Sequence, residues 1–127
     1  MRIFTICIFL YATFFIASAD KKIVCFWGTW ATYRQGYGKF DVENIDPTIC
    51  THIIYSFLGA SSNGDVKYLD SYLDLSDNFG RGYIDKFIAL KSKSPSTKFL
   101  MSIGGWSAYS AVFSQIASSA STRNAFA

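Results

Sequence analysis

The residues of this chain best suited to chemistry are tryptophans and glycines at the ends of apolar runs. Gly104-Gly105-Trp106 follows directly on Phe99–Ile103. Two residues without a Cβ let the backbone turn sharply and let a ligand come close to it. Trp106 then offers a broad apolar ring at that same point. Trp30 stands in a similar place, just beyond the run Ile23–Trp27. This set can hold a ligand against ring and backbone. Proton transfer is harder to find. Glu43 is the only glutamate, and it precedes the second apolar run. Asp70, Asp74 and Asp77 lack the spacing and the final glutamate of a calcium loop. His52 is the only histidine, and at the start of a strand it reads as a structural hydrogen-bonder. The residues therefore call for no metal and no cofactor.

The elements that must position these side chains follow from the apolar pattern. Lys22–Gly28 is rich in β-branched and aromatic residues and predicts a first strand. Trp27, opposite in parity to Phe26, is read as packing. Asp41–Asp46 predicts a helical turn capped by Asp41 and broken by Pro47. Thr51–Leu58 predicts a second strand. The Ser61–Asp65 stretch is a turn, and Val66–Leu69 a short extended piece. Asp70–Gly82 reads as irregular loop. Tyr83–Lys93 predicts a helix with Tyr83, Ile84, Phe87, Ile88 and Leu90 on one face. Phe99–Ile103, too short for an ordinary helix, predicts a buried third strand of parallel type. A last helix is expected from about Ala111 to Ala127, with Val112, Phe113, Ile116 and Ala120 on one side. Strand and helix alternate, so the expected class is α/β with a parallel sheet and right-handed crossovers. Both tryptophan sites then fall at C-terminal strand ends, where such folds build their sites.

Composition narrows the setting. Half of the 127 residues are hydrophobic and 18% are aromatic, with a formal charge of +3. Arg2, the apolar stretch Ile3–Ile16 and Ala17-Ser18-Ala19 form a signal-peptide pattern over residues 1–19. The apolar stretch is shorter than the roughly 20 residues a membrane span needs. Cleavage would leave residues 20–127 as one small domain, secreted and free of the membrane. It removes Arg2, so the charge falls to +2. That is too weak to argue for nucleic acid or an anionic membrane. Cys25 and Cys50 remain. In an oxidising compartment they suggest one disulfide, closing a loop of about 25 residues for roughly 3.5 kcal/mol. The alternative is two buried free thiols.

Four segments, in order, resemble the family 18 glycoside hydrolases, and most closely the secreted insect-type chitinases. They are Val24–Ala31 with Tyr33-Arg34, then FDVENIDPTICTHIIYSF over residues 40–57, then Asp70–Phe87, and last KFLMSIGGW over residues 98–106. The resemblance covers residues 22–127. It implies the N-terminal part of a (β/α)8 TIM barrel, strands 1 to 3, with residues 20–127 as part of the catalytic domain and the chain stopping before strand 4. It implies binding and hydrolysis of chitin, β-1,4-linked N-acetylglucosamine, or of chito-oligosaccharides. The family's acid is the glutamate of a DxxDxDxE motif on strand 4. That motif does not occur here, so no residue of this chain takes a catalytic role. A chitinase-like lectin or growth-factor-like protein without the acid is the alternative. The resemblance assigns sugar contact to Phe26, Trp30, Tyr72, Gly104, Gly105, Trp106 and Ser107. A pyranose has an apolar C–H face that packs on an aromatic plane. Phe26 stands where the family usually has Tyr, which removes one hydroxyl contact. Ser107 stands for a common Asn, Tyr72 for a usual Trp, and Ser71 for a common Pro.

Overall fold

The computed structural model describes residues 21–106, 108 and 110–127. The expected signal peptide, residues 1–19, and Ser107 lie outside the described residues. The strands are β1 (Val24–Gly28), β2 (His52–Ala60), β3 (Val66–Lys67) and β4 (Lys98–Ile103). The helices are α1 (Ser71–Asp74), α2 (Tyr83–Ala89), α3 (Ser110–Ser118) and α4 (Ala120–Phe126). Among them no helix is long and apolar enough to cross a membrane.

Strand β2 is central and pairs in parallel with β1 on one side and β4 on the other. Side chains in register across a parallel sheet share a face, and parity then sorts them. Trp27 and Tyr55 pair on one face, with Cys25, Ile53 and Phe99 beside them. Phe26, Ile54 and Leu100 pair on the other. The first face is the core. It is covered by Tyr83 and Phe87 of α2, by Leu73, and by Val42 and Ile45. Trp27 meets Tyr55 edge-on at 5.3 Å and stacks on Phe87 at 6.1 Å. Such geometry suits ring quadrupoles and adds to the area buried. Trp27 is thus packing, as its parity predicts. Phe26 and Leu100 on the second face are exposed. In a (β/α)8 barrel that face lines the interior.

Two fastenings hold β1 to the segment before β2. Cys25 and Cys50 form a disulfide with Cα atoms 6.2 Å apart. Thr51 Oγ1 donates to the Ile23 carbonyl at 2.9 Å and accepts from the Ile23 N–H at 2.8 Å. His52 sits beside it, its Nδ1 2.8 Å from the same hydroxyl. It is a structural hydrogen-bonder. Asp41 caps the 3-10 turn Val42–Asn44 as expected, with Asn44 completing a capping box.

Four expectations need correction. Strand β4 is parallel but not buried: Leu100 and Met101 are exposed, and its outer edge pairs with no strand among the described residues. An apolar run signals what a strand is built to face, not what covers it here. Asp70–Gly82 is not irregular throughout, because Asp70 caps α1 by accepting from the Leu73 N–H at 3.1 Å. A helix that short leaves no periodic signal. Helix α2 ends at Ala89 and tightens into a 3-10 turn over Leu90–Ser92, and Ile88 faces outward. The last helix is two. Ser119 is extended, and its Oγ accepts from the Thr122 N–H at 3.1 Å, so the serine-rich stretch is a cap between helices.

Candidate functional site

The site lies at the C-terminal ends of the parallel strands. After β1 the chain turns through Thr29–Tyr33 in 3-10 form. Thr29 Oγ1 donates to the Ser56 carbonyl at 3.1 Å and ties this turn to β2. Trp30 folds back over Gly28. A Cβ on Gly28 would lie 2.5 Å from the Trp30 ring, so only glycine admits the indole there. Trp30 stacks on Phe57, with centroids 5.8 Å apart and planes 11° apart.

Phe57 reaches that position through a slip in register. Ser56 pairs with Ser102, but the next residue of β4, Ile103, pairs with Leu58. Phe57 is the extra residue, and such irregularities re-aim a side chain. Its ring lies against Gly105, where an added Cβ would come within 3.1 Å. Gly104 and Gly105 have φ of +110° and +98°, a region that L side chains rarely adopt. Gly104 N–H donates to the Leu58 carbonyl at 2.8 Å and fixes the turn to β2. Trp106 follows, fully exposed.

Together Trp30, Tyr33, Phe57, Asp70, Gly104 and Trp106 line a groove of about 380 Å³. Gly105 supports it from beneath Phe57. Phe26 stands apart, in a cavity beside β1 with Phe40 and Ile49, and Trp30 borders both spaces. Tyr72 is exposed on α1 and does not line the groove. Sequence reasoning missed Phe57, Tyr33 and Asp70. Phe57 gave no separate signal, since it falls inside the apolar strand run Thr51–Leu58. Tyr33 and Asp70 gave none either, being 37 positions apart in the chain.

The polar side of the groove is one hydrogen-bonded unit. Tyr33 OH donates to Asp70 Oδ2 at 2.6 Å. That bond, and then loss of solvent, push the Tyr33 phenol up to about 12. Asp70 Oδ1 accepts from the Leu73 N–H. Asp74, at the other end of α1, is buried and accepts from Tyr55 OH. Burial raises the Asp74 carboxyl above its ordinary range, and the Tyr55 hydrogen bond only partly opposes this. Arg81 donates to Asp41 at 3.3 Å and to Thr32 at 3.2 Å, which ties the loop after α1 to the turn after β1. Glu43 is elsewhere. It pairs with Lys86 at 2.9 Å, and that bond holds its carboxyl below the usual range. Among the described residues no three His, Cys, Asp or Glu side chains converge as a metal site would require. The arrangement offers aromatic planes, a close backbone and one fixed carboxylate. These are parts for holding a flat, hydroxylated ligand.

Residues 22–127 match the family model of Glycosyl hydrolases family 18. This chain belongs to glycosyl hydrolases family 18. It is 38% identical to "Probable chitinase 2" of Drosophila melanogaster over 108 residues, 84% of this chain and 22% of that protein. Among solved structures it resembles the group IV chitinase of Ostrinia furnacalis in complex with allosamidin. The TM-score is 0.78 at 47% identity, over 84% of this chain and 28% of the other. It also resembles human YKL-39, described as a pseudo-chitinase with retained chitooligosaccharide-binding properties. There the TM-score is 0.66 at 36% identity, over 83% of this chain and 27% of the other. The chain thus spans about a fifth of the curated relative's length. Its parallel β1, β2 and β4 are a segment of the family's TIM barrel, and the groove of this family 18 chain lies at the barrel's C-terminal face.

Proposed function

We propose that these residues form part of the sugar-binding groove of a secreted chitinase-type glycoside hydrolase. Its substrate is chitin or its oligosaccharides, and residues 20–127 belong to its catalytic domain after cleavage of a signal peptide over residues 1–19. The observation that carries the reading is the convergence of Trp30, Phe57 and Trp106 on one groove at the strand ends. Stacked aromatic rings suit the C–H face of a pyranose, and the turned glycines let the sugar approach the backbone. Phe26 and Tyr72 belong to the same reading as more distant contacts, Phe26 from the interior face and Tyr72 from α1, and Ser107 belongs to it by resemblance alone. Glycoside cleavage needs a carboxylic acid at the scissile bond. Among the described residues Asp70 is the only carboxylate lining the groove. It is already engaged with Tyr33, so the acid is assigned to no residue here.

A second reading is a chitinase-like lectin that binds sugar without cutting it. The likeness to YKL-39, described as binding chitooligosaccharides as a pseudo-chitinase, supports it. Incubating the native-length protein with chitin and assaying soluble N-acetylglucosamine oligomers separates the two. Release of oligomers supports the hydrolase. Binding without release supports the lectin. Neither binding nor release contradicts both.

A further inference from the structure

The groove has an uneven charge. Its aromatic residues are neutral, and among the described residues its lining contains Asp70 but no lysine, arginine or histidine. Arg81 is committed to Asp41 and Thr32. The Asp70 carboxylate is held still. Oδ2 accepts from Tyr33 OH at 2.6 Å, and Oδ1 accepts from the Leu73 N–H at 3.1 Å. A carboxylate oxygen can accept more than one hydrogen bond. Each therefore keeps capacity for a donor in the groove.

A pyranose lying flat on Trp30 or Trp106 turns its ring substituents outward, to the groove wall where Asp70 stands. In an N-acetylated unit the C2 nitrogen is a neutral amide. In a de-N-acetylated unit it is an ammonium. Either donor would make a charge-assisted hydrogen bond to the carboxylate, and the ammonium adds a charge–charge attraction that the amide lacks. Among the described residues the wall offers no lysine, arginine or histidine to compete for the carboxylate.

We propose that Asp70 is a specificity-determining residue that fits this groove to partly de-N-acetylated chito-oligosaccharides, its carboxylate receiving the ammonium of a glucosamine unit. This rests on the sugar-binding reading of the groove. Tyr33 is the positioning partner: it aims the carboxylate and adds no charge.

The test compares two probes, chitotetraose and the glucosamine tetramer, by calorimetric titration of the native-length protein under mildly acidic conditions that protonate the amines. Asp70→Asn keeps a capping side chain for α1 but loses the charge. It should shift the ratio of the two affinities against the glucosamine tetramer by roughly three- to tenfold. Added sodium chloride should shift the wild-type ratio the same way, which tests the charge without any variant. Tyr33→Phe should keep most of the preference, whereas a merely structural role for Asp70 would make Tyr33→Phe and Asp70→Asn alike. An affinity ratio that ignores both salt and Asp70→Asn overturns the inference while leaving chitin binding intact. Failure of chitotetraose to bind the wild type overturns the sugar reading. Salt- and Asp70-dependent binding of the glucosamine tetramer alone would then still support the role of the carboxylate. Binding of neither overturns both.

Discussion

The indole of Trp30 lies nearly parallel to the ring of Phe57, their centroids 5.8 Å apart. One residue lies in the turn after β1 and the other interrupts the register of β2, so the pair joins two strands at the mouth of the groove. Phe57 also rests on Gly105. The pair therefore links Trp30 to the glycine turn that presents Trp106.

That linkage is testable at Phe57. A stacked aromatic pair contributes about 0.5–1.5 kcal/mol beyond its buried area. Phe57→Ala should free Trp30 and weaken chitotetraose binding by roughly three- to tenfold. Titration calorimetry reads this. An unchanged affinity with unchanged tryptophan fluorescence would show that Phe57 does not hold the platform.

The disulfide is testable by reduction. Cys25 and Cys50 are 25 positions apart, and closing a loop of that size stabilises a chain by roughly 3.5 kcal/mol. Cys25→Ser with Cys50→Ser, or reductant on the wild type, should lower the melting temperature by well over 10 °C for a small domain. Non-reducing peptide mapping should recover the linked pair. Free alkylation of both thiols under native conditions would contradict the bridge.

Asp74 predicts a pH dependence. Its carboxyl is raised by burial, so the folded chain holds this proton more tightly than the unfolded chain does. The group's contribution to stability is full below its unfolded value and is lost as pH rises through the raised folded value. Asp74→Asn stays neutral and keeps an acceptor for Tyr55. It should flatten the fall in melting temperature above the ordinary aspartate range. A variant whose pH profile matches the wild type would place the titration elsewhere.

The signal-peptide reading predicts a mature N-terminus at Asp20. Intact-mass analysis of secreted protein should show loss of residues 1–19. A mass that retains them would defeat it.

What could be read in the sequence was local. The β1 and β2 runs, the Asp41 cap and the glycine turn each announce themselves within a few residues. Trp30 and Trp106 stand next to such signals, so their place at strand ends was legible. The wall of the groove was not. Tyr33 and Asp70 meet only because β2 and its hairpin bring two loops together, and no spacing encodes that contact. Phe57 was hidden because its strand reads as continuous apolar sequence, while the register slip that turns it outward depends on pairing with β4. The break at Ser119 was hidden for a related reason. Serine in a helical pattern reads as a neutral surface residue until its hydroxyl is seen to cap the next helix.

In the proposed function Trp106 serves as a sugar platform. It is fully exposed, so Trp106→Ala should cost far less stability than the about 3–5 kcal/mol typical of a buried tryptophan. Stacking on other aromatic platforms is worth about 1–3 kcal/mol. The most direct measurement is chitotetraose titration of native-length Trp106→Ala beside its thermal melt. Affinity should fall by roughly ten- to hundredfold with a melting temperature close to the wild type. Unchanged affinity in a folded variant would contradict it.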